Sequence, residues 1–180
     1  ITNGKTMKVI ILAAGVGSRL KYLTKNKPKC LVKINNKSLL DHQLDILKKQ
    51  NINNIIIVGG HFSQKLNRLN TILVKNARYK ETNMLYSLFV AEEYLSEDVI
   101  ISYGDIVYSN VVLKKLLKSK ADISVVIDKD WREYWSARNE NPLDDAETLK
   151  LDKMGNIMEI GMKPTNLDNI QGQYIGLMKF

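Results

Sequence analysis

Lys8–Leu20 reads KVIILAAGVGSRL and joins an apolar run to a glycine-rich turn. The run Lys8–Leu12 is short and continuous, which is typical of a central parallel strand that is buried on both faces. Gly15 and Gly17 follow it, and glycines let the backbone adopt positive φ and bring its N–H groups close to an anion. The stretch therefore predicts a buried strand with an anion-binding loop at its carboxyl end.

Two cations, Arg19 and Lys29, follow the loop. The planar guanidinium of Arg19 suits phosphate oxygens. The dinucleotide fingerprint is not met because no third glycine follows, and the loop is not a P-loop because Gly17 is followed by Ser18-Arg19-Leu20 and not by Lys-Ser/Thr. A short glycine turn can also be purely structural, so the loop alone leaves phosphate binding and a structural role both open.

Strands and helices alternate outward from this stretch. The pattern predicts helix Ser38–Gln50, strands Ile52–Val58 and Ile72–Val74, helix Asn83–Leu95, strand Val99–Tyr103, helix Ser109–Lys118 and strand Asp122–Asp128. Leucines are expected on the inner faces of the first two helices: Leu39, Leu40, Leu44 and Leu47, then Leu85, Leu88 and Leu95. This alternation predicts an α/β fold of the three-layer α/β/α, Rossmann-like type with a mainly parallel sheet.

Ligands of such sheets bind beyond the carboxyl ends of the strands. That rule places Ala13–Arg19, Gly59–His61 and Gly104–Asp105 at one edge. Asp105 is the best candidate for a metal ligand there, because a hard carboxylate oxygen suits Mg²⁺. A turn or helix-capping aspartate is the alternative.

The second half of the chain has a different pattern. Trp131–Asp145 is predicted to be a long polar and aromatic loop. Shorter strands are predicted at Glu147–Leu151, Ile157–Ile160 and Gln173–Phe180, with a hairpin turn at Lys153–Asn156. The prediction is one domain over residues 7–180 with a smaller β-rich part, an irregular leader at Ile1–Thr6, and further residues expected beyond the apparent strand that ends at Phe180.

Composition excludes several classes. Of 180 residues, 44% are hydrophobic and 26% charged, as in ordinary globular proteins, and no apolar run approaches the roughly 20 residues of a membrane span. The net charge of +8 is spread along the chain without a basic block, which favours solvated faces and one phosphate site over nucleic-acid binding. The single Cys30 agrees with a cytoplasmic location and is expected to be an inert, packed thiol.

Fixed positions around the loop carry a family resemblance. They are Leu12-Ala13-Ala14-Gly15-x-Gly17-Ser18-Arg19-Leu20, Leu23-Thr24, Lys27-Pro28-Lys29 and Leu31-Val32. This set resembles the signature of the sugar-nucleotidyltransferase superfamily. The resemblance implies that Ala13–Arg19 cradles a nucleoside triphosphate, that Arg19 holds the departing pyrophosphate, and that Lys29 contacts the phosphate at the reacting centre.

Later motifs resemble the CTP-dependent cytidylyltransferase branch of that superfamily. Asn83-x-x-x-Ser87-Leu88 is similar to a stretch of phosphocholine cytidylyltransferases, with Thr82 in place of the first asparagine. The second half resembles cytidylyltransferases for phosphonates and for phosphorylated amino-compound head groups, and most of all the enzyme that activates phosphoglutamine for capsule synthesis. The motifs are Asp128-x-x-Trp131, Trp135-x-x-Arg138, Asn141-Pro142, Asp145-Ala146-Glu147-Thr148-Leu149 and Gly172-Gln173-Tyr174-Ile175-Gly176-Leu177. The resemblance implies nucleotide contacts from Leu12, Ala13, Ala14, Gly15, Gly17, Ser18, Arg19, Gly60, Asn83, Ser87 and Gly104. It implies acceptor contacts from Asp128, Trp131, Trp135, Arg138, Asp145, Glu147 and Tyr174, although each tryptophan could equally pack against the sheet.

The expected activity is transfer of CMP from CTP to a small phosphorylated or phosphonate molecule. Pyrophosphate would leave with the help of Mg²⁺, with Arg19, Lys29 and Asp105 as catalytic residues and Asp105 as the metal ligand. A second metal carboxylate of the family has no match in the sequence. Alternatives are a sugar-1-phosphate nucleotidyltransferase that uses UTP or dTTP, and a nucleotide-binding module without turnover. A homodimer is possible, and neither nucleic acid nor a membrane is an expected partner.

Overall fold

The computed structural model describes residues 7–96, 98–138 and 140–180, so the leader predicted at Ile1–Thr6 lies outside it. The chain divides into two compact units. The first comprises Ile1–Val125 with Gly176–Phe180, and the second comprises Val126–Ile175. Within the described ranges, no helix combines the length and the apolar character needed to cross a bilayer.

A six-stranded sheet organises the fold. In chain order the strands are β1 Lys8–Ala13, β2 Lys33–Ile34, β3 Lys37–Ser38, β4 Asn54–Gly59, β5 Thr71–Lys75, β6 Val99–Tyr103, β7 Ser124–Asp128, β8 Leu149–Leu151, β9 Ile157–Ile160 and β10 Gln173–Lys179. The helices are α1 Leu39–Lys49, α2 Met84–Phe89, α3 Asn110–Lys118 and α4 Trp131–Arg138. The large sheet has the order β5-β4-β1-β6-β10-β7, while β2-β3 and β8-β9 form separate two-stranded sheets.

The pairing confirms the predicted α/β class with a mainly parallel sheet. β1 runs parallel to both β4 and β6, and β4 runs parallel to β5, whereas β10 is antiparallel to β6. The register pairs Leu12 of β1 with Val58 and with Tyr103. The carboxyl ends of β1, β4 and β6 therefore lie side by side at one edge of the sheet.

β1 lies between β4 and β6 in the large sheet, and its side chains are buried. Val9, Ile10 and Ile11 have no exposed surface, as expected of an apolar strand flanked on both sides. Helix α1 begins after Ser38, whose hydroxyl accepts a hydrogen bond from the backbone N–H of Asp41. Leu39, Leu40 and Leu47 are buried as predicted, but Leu44 is only half-buried, and Gln43 occupies the middle of the buried face.

The helix predicted over Asn83–Leu95 is shorter than expected. Helix α2 ends at Phe89, and a separate 3₁₀ turn covers Glu92–Tyr94. Ser87 is buried, so the inner face of α2 is centred on it. Leu85 lies two residues earlier, about 200° around a helix of 3.6 residues per turn, and it therefore points to solvent. The prediction of an inward Leu85 is wrong, while Leu88 and Leu95 pack against the core as predicted.

The loop predicted over Trp131–Asp145 is also wrong in its first half. Trp131–Arg138 forms α4, and a short 3₁₀ turn covers Pro142–Asp144. Trp131 and Trp135 are one helical turn apart and both belong to one apolar cluster of the second unit. Because residues four apart share a helix face, burial of this aromatic pair favours a helix over a loop. The predicted hairpin between β8 and β9 is confirmed, although β8 begins at Leu149 and β7 only at Ser124.

Candidate nucleotide site

A cavity of about 150 Å³ lies at the carboxyl ends of β1 and β6 in the first unit. Most of the nucleotide-binding residues predicted from the sequence line it: Leu12, Ala13, Ala14, Gly15, Gly17, Asn83, Ser87 and Gly104. The predicted catalytic residues Lys29 and Asp105 line it as well. The fold thus brings residues from four separate segments of the chain to one cavity.

Three predicted residues of the described chain lie outside the lining of this cavity: Ser18, Arg19 and Gly60. Ser18 and Arg19 are exposed at the start of the 3₁₀ turn Ser18–Thr24. A Cβ at Gly60 would lie 2.5 Å from Cβ of Tyr79 and 2.6 Å from the carbonyl oxygen of Ala14. The glycine therefore allows Tyr79, which does line the cavity, to approach the sheet edge.

The glycine loop is held in place by contacts at Gly17. Gly17 has a φ of 69°, which favours glycine, and a Cβ there would come within 3.0 Å of Cβ of Lys29. The carbonyl oxygen of Gly17 accepts hydrogen bonds from Oγ1 of Thr24 at 2.9 Å and from the backbone N–H of Leu20 at 3.0 Å. Gly15, in contrast, is exposed with open space around it, so its backbone is accessible to a ligand.

Lys29 and Asp105 form an ion pair at the cavity. Nζ of Lys29 lies 2.5 Å from Oδ2 of Asp105, and both side chains are about one-third exposed, at 34% and 35%. The two residues are far apart in the sequence but come together because Lys29 follows the glycine loop and Asp105 follows β6. A cation and a carboxylate in contact beside a loop with an accessible backbone can rearrange if a phosphate group or a metal ion enters.

The backbone after β6 is anchored to β1. The N–H of Gly104 donates to the carbonyl oxygen of Leu12 at 2.8 Å. This bond continues the contact between the two strands by one residue and fixes the start of the turn that carries Asp105.

Asn76, which the sequence reasoning missed, does not line the cavity but supports two residues that do, Thr82 and Ser87. It is fully buried, and its Nδ2 donates to Oγ of Ser87 at 3.0 Å and to Oγ1 of Thr82 at 3.1 Å. Asn83 caps the N-terminus of α2, and its Oδ1 accepts a hydrogen bond from the backbone N–H of Tyr86. Asn76 directly follows β5, so the rule that ligands gather beyond strand ends could have identified it.

Cys30 lines the same cavity but is a buried thiol, with 2% of its surface exposed. Burial raises the pKa of Cys30 to about 12, so the thiol stays protonated at neutral pH. The thiolate is the reactive form of cysteine. The structure therefore agrees with the prediction of an inert, packed thiol.

In the second unit, three of the predicted acceptor residues come together. The guanidinium of Arg138 lies 5.6 Å from the ring centre of Trp135 and 3.8 Å from Oδ2 of Asp145. The indole Nε1 of Trp135 donates to the carbonyl oxygen of Asp145 at 3.4 Å. These side chains form a polar and aromatic surface on α4 and the segment that follows it.

The remaining predicted acceptor residues have different surroundings. Trp131 is 1% exposed and packs with Ala146 and Ile170, so the packing alternative describes it. Oδ1 of Asp128 accepts from the backbone N–H of Asp130 at 2.9 Å in a tight turn after β7. Glu147 is exposed, and Tyr174 is half-buried on β10.

Comparison with solved structures defines the class of fold. The structure whose subject is the catalytic mechanism of CTP:phosphocholine cytidylyltransferase from Streptococcus pneumoniae matches with a TM-score of 0.71 and 24% identity, over 97% of this chain and 71% of that one. The fold is thus that of the α/β nucleotidyltransferases. The family follows from the sequence: the MobA-like NTP transferase domain matches residues 9–159, and the chain belongs to this family.

Two relatives of known activity indicate which branch of the nucleotidyltransferases the chain resembles. The CTP:phosphoglutamine cytidylyltransferase of Campylobacter jejuni is 44% identical over 185 residues, which cover 97% of this chain and 73% of that protein. The choline-phosphate cytidylyltransferase of Streptococcus pneumoniae is 38% identical over 117 residues, which cover 63% of this chain and 51% of that protein. The resemblance to the CTP-dependent branch of the nucleotidyltransferases is therefore confirmed.

Proposed function

We propose that the protein transfers CMP from CTP to a small phosphorylated or phosphonate head group and releases pyrophosphate. The observation that carries the proposal is the cavity at the carboxyl ends of β1 and β6, where an accessible glycine loop meets Lys29 and Asp105. The similarity of almost the whole chain to a phosphoglutamine cytidylyltransferase supports the choice of CTP and of a small head group. A cytoplasmic location and a role in cell-surface polysaccharide synthesis extend the same proposal.

The reaction is an in-line substitution at the α-phosphorus of CTP. An oxygen of the acceptor phosphate or phosphonate forms a new bond to that phosphorus, and the bond to the bridging oxygen of the β-phosphate breaks, so that pyrophosphate leaves with the electron pair. The acceptor oxygen is already anionic near neutral pH, so the step needs no general base. The protein must instead hold two polyanions together, which depends on positioning and on electrostatic stabilisation.

The residues of the cavity can supply that stabilisation. The exposed backbone at Gly15 would receive phosphate oxygens, and the ammonium of Lys29 would lie against the reacting phosphate. Arg19 is exposed at the end of the same loop, where we propose that it contacts the departing pyrophosphate.

We propose Mg²⁺ as the cofactor, held by Asp105. Mg²⁺ is usually bound by one or two carboxylates together with substrate phosphates, and Asp105 provides one such carboxylate in the cavity. In the part of the chain that the structure describes, no three His, Cys, Asp or Glu side chains group around one point, which suits a metal that arrives with a triphosphate better than a closed protein cage. When bound, Mg²⁺ would neutralise charge on the phosphate oxygens.

For the acceptor, we propose the surface formed by Trp135, Arg138 and Asp145 in the second unit. An aromatic ring and a carboxylate can both attract an ammonium group, and a guanidinium can bind a phosphorus oxyanion or a carboxylate. The relatives named for phosphoglutamine and for choline phosphate support an acceptor of this chemistry.

Pyrophosphate release by the full-length protein tests the proposal. CTP, UTP and dTTP would each be supplied with Mg²⁺ and one acceptor: phosphoglutamine, phosphocholine, 2-aminoethylphosphonate or glucose 1-phosphate. We expect release with CTP and one of the first three acceptors. Preference for UTP or dTTP with glucose 1-phosphate would identify a sugar-1-phosphate enzyme, and no release with any pair would favour a module without turnover.

A further inference from the structure

Gln43 is a polar residue in the centre of the apolar face of α1. Leu39, Leu40 and Leu47 are buried on the same face, and Gln43 itself has no exposed surface. Glutamine is mostly found at protein surfaces, and a buried amide costs free energy unless its polar atoms are hydrogen-bonded. The position therefore requires partners inside the fold, and leucine would suit the pattern of the helix better.

The partners of Gln43 surround the turn that carries Asp105. Its Nε2 donates to the carbonyl oxygens of Tyr103 and Ile106, both at 3.0 Å. Its Oε1 accepts from the hydroxyl of Ser102 at 2.8 Å. One amide thus joins the residues immediately before and after Gly104–Asp105, using both of its N–H groups and its oxygen.

These bonds have a geometric consequence for Asp105. β6 ends at Tyr103, so the ladder of the sheet no longer fixes the backbone beyond that residue. The bond from Gly104 to Leu12 holds the turn to β1, and the bonds from Gln43 hold its two ends to α1. The carboxylate of Asp105 is exposed at the cavity, but its backbone is fixed from two sides.

We propose that Gln43 is a positioning residue for nucleotidyl transfer: it fixes the turn Tyr103–Ile106 so that the carboxylate of Asp105 is presented to the phosphates and their cation. Gln43 does not line the cavity, and it acts through the backbone that carries Asp105. This inference rests on the proposed function for its kinetic part. Its structural part, the restraint on the turn, holds for the protein without substrate.

The test compares Gln43→Met with Gln50→Met. Methionine is unbranched, close to glutamine in length and equally compatible with a helix, but it cannot form the amide bonds. Gln50 is the matched control, because it follows the last residue of the same helix and its Nε2 also makes a partly buried hydrogen bond, to Oδ1 of Asn110 at 2.6 Å, away from Asp105. If Gln43 only stabilised the fold, the two folded variants would show the same hydrogen exchange in the turn and the same kinetics.

The first readout needs no substrate. The backbone N–H of Gly104 is protected by its bond to Leu12, so its hydrogen exchange reports how firmly the turn is held. We expect exchange at Gly104 to become about tenfold faster in Gln43→Met, while exchange at Ile10 in β1 and all exchange in the turn of Gln50→Met stay unchanged. Unchanged exchange at Gly104 in Gln43→Met would overturn the inference.

The second readout is kinetic. Misplacement of a catalytic group by about 1 Å can cost roughly 100-fold in rate, so we expect kcat of Gln43→Met to fall by about that factor and the Mg²⁺ concentration for half-maximal rate to rise. The KM for the acceptor should stay within about twofold, because its proposed binding residues are elsewhere in the chain. Wild-type kcat and Mg²⁺ dependence in Gln43→Met would overturn the role, whereas inactivity of the wild-type protein would overturn the proposed function.

Ser102→Ala provides a milder variant in case Gln43→Met does not fold. It removes the hydroxyl that donates to Oε1 of Gln43 but leaves the two bonds to the turn available. We expect smaller changes in the same direction for Gly104 exchange and for Mg²⁺ dependence. A fully wild-type Ser102→Ala for both quantities would contradict the proposed network.

Discussion

Lys29 and Asp105 show which properties of single site residues follow from the sequence and which follow only from the fold. The sequence predicts each as a site residue, because Lys29 follows the glycine loop and Asp105 follows a buried strand. It does not predict their contact, since the 2.5 Å pair depends on how the segment after Gly17 folds back onto β6. We expect this pair to open when CTP and Mg²⁺ enter, so that the carboxylate can bind the metal and the ammonium a phosphate.

Asp105→Asn tests the carboxylate directly. The change preserves the size of the side chain and removes its charge, so turnover should fall by at least about 100-fold, as for loss of a group that stabilises the transition state. Stability should change by no more than about 0.5 kcal/mol because the side chain is near the surface. Asp45→Asn is the matched control, since Asp45 is an exposed carboxylate paired with Lys37 outside the cavity, and it should keep its activity. Comparable losses in both variants would refute the role of Asp105.

Arg138→Ala tests the acceptor surface. Arg138 contacts Trp135 and Asp145, so its loss should raise the KM for the acceptor by about tenfold or more, the cost of one charge-assisted hydrogen bond. The affinity for CTP should stay within about twofold. Arg132→Ala, on the same helix and stacked on Trp131, is the control and should leave both values unchanged. Equal weakening of CTP and acceptor in Arg138→Ala would remove Arg138 from the acceptor site.

At the scale of elements, the strands were the most predictable part of the fold. β1, β4 and β6 are apolar runs bounded by glycine or polar residues, and their positions follow from the sequence to within a few residues. The predictions of helices failed where contacts between distant parts of the chain determine the structure. The inner face of α1 carries Gln43 where the pattern would favour a leucine. Its amide donates to carbonyl oxygens at the end of β6, and a periodic pattern of apolar residues cannot predict such a contact. Helix α4 was missed although the spacing of Trp131 and Trp135 indicates it.

Trp131 provides a prediction about α4. Because Trp131 is 1% exposed and packs with Ala146 and Ile170, Trp131→Ala should lower the free energy of unfolding of the second unit by about 3–5 kcal/mol. Tyr134→Ala on the same helix should cost no more than about 0.5 kcal/mol, since Tyr134 is 56% exposed. Urea unfolding followed by circular dichroism would measure both. If the Trp131→Ala protein kept wild-type stability and lost only acceptor binding, Trp131 would instead be assigned to the acceptor site.

For the molecule as a whole, the family was predictable because its signature is local. The positions from Leu12 to Val32 lie within one short segment, and this segment supplies about half of the residues that line the cavity. The composition of the site beyond that segment was less predictable. The segment between β5 and α2 brings Tyr79 and Thr82 to the cavity, and Asn76 donates a hydrogen bond to Thr82. The surface around Arg138 depends on α4, which was not predicted.

Calorimetric titration of CTP with Mg²⁺ into the full-length protein tests the central claim, that this cavity binds the triphosphate. The account predicts one CTP per chain, binding that is at least about tenfold weaker in Lys29→Met because a charge-assisted contact is lost, and weaker binding of UTP. Absence of CTP binding, or binding that is unaffected by Lys29→Met, would contradict it.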